Sequence, residues 1–316
     1  MRTGIIKFLL PFFLLAFSCA SAKEKTDSVK VGAYIISIHD INFHQKEYIA
    51  RFWLWFIYDN PKFNFSQQID ITNAKDIEIS SVSIDTVNGK YWAQMRVKCT
   101  MKENWRVSDF PFDMQHLSIV MEDEALDIDN LVFVADTASS RFDNVDALSG
   151  WKVDNFKVYT DIARYNTSFG NPEPGFDKQE FSKFTISMDI EREAKGLFLK
   201  IFLGMYFAFL IALVSFLTDT NELDPRFGLP IGGLFAAVGN KYIIDSLLPE
   251  SSQFSLVDIL HNLTFLGIFC ILSVSAIALK LHNAGKIPTA HRLNKVGAAV
   301  VIIGYIASNI YYIINA

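Results

Sequence analysis

Residues 196 to 316 hold four long apolar segments, Leu197 to Leu217, Phe227 to Leu248, Ile259 to Leu281 and Val296 to Ile314. Each is long enough to cross about 30 Å of hydrocarbon as a helix. No water inside a bilayer satisfies backbone N–H and C=O groups, so these segments are expected to be membrane helices. The composition agrees, since 51% of the residues are apolar and only 20% charged. Most of the Asp, Glu, Lys and Arg fall between residues 23 and 195. The change near Glu193-Ala194-Lys195 therefore divides a polar domain, 23–193, from a membrane domain, 194–316. A net charge of −5 leaves no basic footprint for nucleic acid.

Residues 1–22 read as a signal peptide. Arg2 and Lys7 precede the apolar run from Phe8 to Phe17, and Ala20-Ser21-Ala22 offers a cleavage site before Lys23. A lipoprotein would use Cys19, but Ala16 stands where such signals usually carry Leu. With an exported amino terminus, four spans place both chain ends outside the cytoplasm. Thr218 to Arg226 and His282 to Lys295 then lie inside, where Lys280, Lys286, Arg292 and Lys295 satisfy the positive-inside bias. Of the remaining cysteines, Cys99 sits in a strand and Cys270 deep in an apolar helix, so no disulfide is expected.

Between residues 30 and 192 the pattern is that of strands. Val31 to Ile38, Tyr48 to Tyr58, Ile77 to Ile84, Tyr91 to Met101, Leu117 to Met121, Val153 to Tyr159 and Phe181 to Ile190 show alternation or β-branched and aromatic enrichment. Such spacing predicts an all-β, immunoglobulin-like antiparallel sandwich. Along Arg51 to Tyr58 both faces are apolar or aromatic. One face fills a core; the other meets a neighbouring subunit, a ligand, or further structure of the same chain.

The second apolar segment is unlike a lipid-facing helix. It contains Pro230, Gly232-Gly233, Gly239, Asn240, Lys241 and Asp245, a load that suits a helix lining water. Every third or fourth residue gives the stripe Gly228, Gly232, Phe235, Gly239, Tyr242 and Ser246. A ring of Phe235 could close a pore by dewetting. The competing explanation is close helix packing through the glycines.

The most specific motif is Phe110-Pro111-Phe112-Asp113 followed by Gln115, between two strands and upstream of the four spans. Together with Gly150-Trp151-Lys152-Val153, Arg192 before the first span, Arg226 opening the second and Leu248-Pro249 closing it, it resembles the pentameric ligand-gated ion channels, or Cys-loop receptors. The resemblance runs from about residue 30 to the end. Glu103 and Leu117 replace the two loop cysteines, and the loop from His282 to Lys295 is short, as in bacterial members. Gly204 stands for the first-span proline, and Glu124 for an aromatic of the agonist pocket.

The resemblance implies a homopentamer in a bacterial inner membrane. A small molecule, a proton or a divalent cation would be the agonist, inorganic ions would permeate, and lipid would surround the spans. Phe110, Pro111, Phe112, Asp113, Arg192 and Pro249 would couple binding to opening, with Asp113 and Arg192 as an ion pair. The agonist pocket would draw on Trp53, Trp55, Glu124, Tyr165, Phe169 and Phe176 across a subunit interface. Glu222 and Asp224 at the cytoplasmic mouth would concentrate cations, although Pro225-Arg226 resembles anion-selective relatives. No cofactor is implied.

Two weaker constellations remain. Glu122-Asp123-Glu124 with Asp127 and Asp129 could bind Ca²⁺, sense protons, or form a solvated acidic loop. His39, His44 and Glu47 have no committed geometry, and no metal is assigned. No nucleophile elbow, phosphate loop or zinc-protease pair is present, so an enzyme is not expected. A membrane-anchored solute sensor that conducts nothing is the other reading.

Overall fold

The computed structural model describes residues 26–143, 148–172, 178–250 and 254–315. The expected signal peptide and Phe176 lie outside them. Residues 27–192 form two facing sheets built from β1 (Asp27–Asn42), β2 (Glu47–Tyr58), β3 (Ile69–Ile71), β4 (Ala74–Val87), β5 (Lys90–Lys102), β6 (Met114–Asp123), β7 (Leu131–Ala135), β8 (Trp151–Tyr165) and β9 (Gln179–Arg192). A four-residue helix, α1 (Phe65–Gln68), precedes β3. The first sheet has the order β4-β5-β2-β1-β7, the second β3-β6-β9-β8. All pairings are antiparallel except β1 with β7.

Strand β2 shows why the sheets face as they do. Tyr48, Ala50, Phe52, Leu54, Phe56 and Tyr58 are buried in strict alternation with half-buried Arg51, Trp53, Trp55 and Ile57. Slipping the register by one residue would turn six buried side chains outward, at about 1.5–3 kcal/mol for each large apolar one. Their partners across the core are Leu117, Ile119 and Met121 of β6 and Phe184, Ile186 and Met188 of β9.

Four helices follow: α2 (Ala194–Val214) with a 3₁₀ turn at Ser215–Leu217, α3 (Leu223–Asp245), α4 (Leu256–Asn283) and α5 (Ile287–Ile314). All four are long and apolar enough to cross a membrane, as expected of a multi-pass membrane protein. Helix α4 opens on a capping box, in which Ser255 Oγ accepts from the Asp258 amide and Asp258 accepts from the Ser255 amide. Helix α5 starts at Ile287 rather than at Val296. Pro288 suits a first turn, and the polar residues that follow place Ala290, Asn294 and Gly297 on a buried face.

Candidate functional site

The Phe110 to Gln115 turn sits where the sandwich meets the helices. Because Met114 pairs with Glu191 across β6 and β9, Asp113 and Arg192 face each other on the next rung. Arg192 donates from Nε to Asp113 Oδ1 at 2.7 Å and from Nη2 to Oδ2 at 3.2 Å. Asp113 is 3% exposed. The guanidinium is also caged by aromatic rings, with Cζ 4.0 Å from the centroid of Trp151, 4.6 Å from Phe43 and 4.9 Å from Phe110. Gln115 completes the unit. Its Nε2 donates to Asp113 Oδ2 at 2.6 Å and to the Arg106 carbonyl at 2.7 Å, and its Oε1 accepts from the Arg106 amide at 2.9 Å. The motif contains Gln115, but only the fold reveals that it staples both ends of the turn.

At this junction, contacts reach three helices. Phe112 lies 5.5 Å from Phe198 of α2, centroid to centroid. The Ser108 carbonyl accepts from the Leu256 amide at the start of α4 at 2.7 Å. In the β1–β2 turn, His44 Nδ1 is 3.4 Å from the Leu248 carbonyl just past α3. Buried Pro249 adjoins a 340 Å³ cavity that His44, Val107, Leu248, Lys241 and Asp258 also line. Lys241 bridges α3 and α4, pairing with Asp245 and, at 2.8 Å, with Asp258.

Helix α3 has two sharply different faces. Arg226, Pro230, Gly233, Ala237 and Ile244 are buried against the other helices. A Cβ on Gly233 would lie 2.6 Å from the Ala208 carbonyl, so that glycine serves packing. The predicted stripe is the opposite face. Gly228, Gly232, Phe235, Gly239, Tyr242 and Ser246 are all exposed, Phe235 at 73% and Tyr242 at 78%. Nothing lies within 4 Å of where a Cβ on Gly228, Gly232 or Gly239 would be. Packing within the chain therefore does not explain those three.

At the start of α3, Glu222 and Asp224 are exposed, and Asp224 suits the helix amino terminus electrostatically. Arg226, which the sequence placed beside them at the mouth, turns inward and is 0% exposed. Its Nη2 donates to Asn294 Oδ1 at 2.6 Å and Ser275 Oγ at 3.4 Å, and its Nη1 to the Thr218 carbonyl at 3.2 Å. Asn294 in turn donates to the Phe216 carbonyl at 2.8 Å. Among the described residues Arg226 has no carboxylate partner.

The residues predicted for an agonist pocket fall into two groups. Tyr165 lies 5.6 Å from Phe169 and 5.8 Å from Phe181, centroid to centroid. Its hydroxyl donates to Glu122 Oε2 at 2.9 Å, a residue the sequence placed in the acidic stretch and not in the pocket. Burial raises the Glu122 carboxyl above its ordinary range, and burial together with this carboxylate pushes the Tyr165 phenol up to about 12. Glu124 is exposed on the adjoining turn. Trp53 and Trp55 belong to the outer face of the first sheet, whereas Tyr165 and Glu122 share the outer face of the second by strand parity. In one chain the two groups are on opposite sides of the sandwich. Trp53 lies under Arg96, with Cζ 4.6 Å from its ring centroid. Trp55 packs over Gly32, where a Cβ would come within 2.5 Å, and donates to Asp136 at 3.3 Å.

The acidic stretch is largely spent on its own turn. Asp123 Oδ1 accepts from the amides of Ala125 and Leu126, and Asp127 Oδ1 from those of Asp129 and Asn130. Among the described residues no three metal-ligating side chains converge. One arrangement imitates a hydrolase: His116 Nδ1 is 2.7 Å from Asp189 Oδ1, and its Nε2 3.3 Å from Ser187 Oγ. Ser187 is 1% exposed, in the middle of a paired strand whose amides belong to the sheet. A substrate carbonyl could not reach it. Compared with models of known protein families and with curated proteins, the chain matches none.

Proposed function

We propose that the chain is one subunit of a homopentameric ligand-gated ion channel, with α3 lining the pore and an immunoglobulin-like sandwich outside the cytoplasm receiving the agonist. The observation that carries this reading is the open face of α3. A helix with Gly228, Gly232 and Gly239 unpacked within the chain beside exposed Phe235 and Tyr242 suits a water-filled axis with an aromatic constriction. The Asp113–Arg192 unit supports it, because the segment from Ser108 to Gln115 touches α2 and α4 and is tied to the end of β9. The split between Trp53 and Tyr165 also supports it, since two copies side by side could bring those faces together.

Cysteine accessibility tests the reading. With Cys99 and Cys270 replaced, G232C, F235C and G239C are expected to react with a charged, membrane-impermeant thiol reagent. A237C and I244C, on the buried face, are expected to stay unmodified. Silence at all five positions in an oligomer that folds would mean that α3 faces lipid or protein.

Cation conduction follows from the charges at the mouth. Glu222 and Asp224 are exposed, while the Arg226 charge is withdrawn into the bundle. Asp224→Ala is expected to lower the cation-to-anion permeability ratio severalfold, read from reversal potentials in asymmetric salt. An unchanged ratio would remove Asp224 from the filter.

A further inference from the structure

His261 in α4 is 0% exposed, and both of its ring nitrogens face oxygen. Nδ1 is 2.8 Å from the carbonyl of Val257, one turn earlier, and Nε2 is 3.0 Å from Oδ1 of Asn240 in α3. Neither oxygen has a proton to give. A neutral imidazole carries a single N–H, so it satisfies one of them and turns a lone pair on the other; an imidazolium donates to both. Rotating the Asn240 amide does not rescue the neutral ring at no cost. Asn240 Nδ2 donates to the carbonyl of Ile201 in α2 at 3.2 Å, and the rotated amide would set two carbonyl oxygens against each other across that gap.

The sequence prepares this connection. Residue 204 in α2 is glycine, and a Cβ there would lie 3.1 Å from Asn240 Nδ2. The missing side chain lets the amide reach the α2 backbone. The charged groups around His261 are Lys241 and Asp245 from α3 and Asp258 from α4. Lys241 pairs with both carboxylates, so it is the two acceptors facing the ring that favour the proton. From α2 the nearest ring is that of Phe202, at 5.9 Å.

We propose that His261 is a proton-binding site that locks three helices together when occupied. With the proton bound, its two N–H groups join α4 to itself and to Asn240, and Asn240 remains free to hold α2. When the proton leaves from Nε2, the ring keeps its N–H on Nδ1 toward the closer Val257 carbonyl. Asn240 must then serve either His261 or Ile201, and one link between helices is lost. Acid therefore tightens the α2–α3–α4 contact and alkali loosens it. A neutral ring with its N–H on Nε2 would give up only the contact within α4 and would overturn the proposal. This inference needs only the geometry of the helices and stands whether or not α3 lines a pore.

The test is solid-state ¹⁵N NMR on the full chain in phospholipid bilayers, with ¹⁵N-labelled His and Asn, from about pH 5 to pH 8. H261Q assigns the ring signals. If that variant does not fold, contact between ¹⁵N-His and the ¹³C-labelled Val257 carbonyl assigns them instead. The expected result is a doubly protonated His261 at the acid end that loses one proton as pH rises, with the Asn240 side-chain amide shifting over the same interval. N240L should abolish the coupled amide shift while leaving the other asparagines unchanged. A single neutral tautomer at every pH, or a His261 titration that leaves the Asn240 amide unmoved, would overturn the proposal.

Discussion

Replacing Arg192 with glutamine is expected to destabilise the folded chain by about 3–5 kcal/mol, because it strands a buried carboxylate. Asp113 is 3% exposed and would keep only Gln115 as a side-chain donor. The reciprocal change, Asp113→Asn, should cost less. The guanidinium it leaves behind still lies against Trp151, Phe43 and Phe110, whose ring faces attract a cation. That asymmetry also rules out charge exchange as a diagnostic. Swapping the two residues would press a carboxylate against three electron-rich faces and set an arginine against the Gln115 amide, so failure of the swap would say nothing about pairing. The informative experiment is a double-mutant cycle with D113N and R192Q, read from denaturation midpoints of the purified protein. Coupling well above the ~0.5 kcal/mol that independent sites show is expected. Additive costs within that margin would mean that the pair is not the junction of the two domains.

What the sequence disclosed depended on the range of the interactions involved. Strand β2 was legible through its local run of aromatic and β-branched residues, although only the fold showed which alternate residues are buried, and the α3 stripe because helical spacing alone puts Gly228, Gly232 and Phe235 on one side. The Asp113–Arg192 pair was legible through the resemblance of its motif, although the two residues are far apart in the chain. Short elements escaped. Strands β3 and β7 have three and five residues, too few for a period to register, and each exists because a longer strand offers it an edge. Polar partners escaped for another reason. Glu122 looked like one acid among several until the fold set it under the Tyr165 hydroxyl. Asn294 lies in the polar lead of α5, which hydropathy assigns to a loop, yet its amide meets Arg226. Side-chain hydrogen bonds across dozens of residues leave no periodic trace.

The Arg226 node supplies a second large effect, one that separates a charge facing the proposed pore from a charge in the bundle. Asn294→Leu removes the shortest acceptor, leaving the guanidinium with Ser275 Oγ at 3.4 Å and the Thr218 carbonyl at 3.2 Å. It also strands the Phe216 carbonyl, which Asn294 satisfies. A loss of about 3–5 kcal/mol is expected, as for other buried charges deprived of a partner. Arg226→Met takes the charge away instead, and R226M/N294L should recover much of that loss, since apolar replacements of buried ionic groups are often neutral or better. Thermal unfolding of the three variants measures this; a double variant no more stable than N294L would mean that the cost lies in packing or in the stranded Phe216 carbonyl and not in the charge. In the proposed channel, permeation adds an independent readout. If the charge belongs to the bundle, R226M leaves the cation-to-anion ratio where it was, whereas D224A lowers it. A ratio that rises in R226M would put the guanidinium in the ion path and make the inward-turned arginine a state that opening undoes.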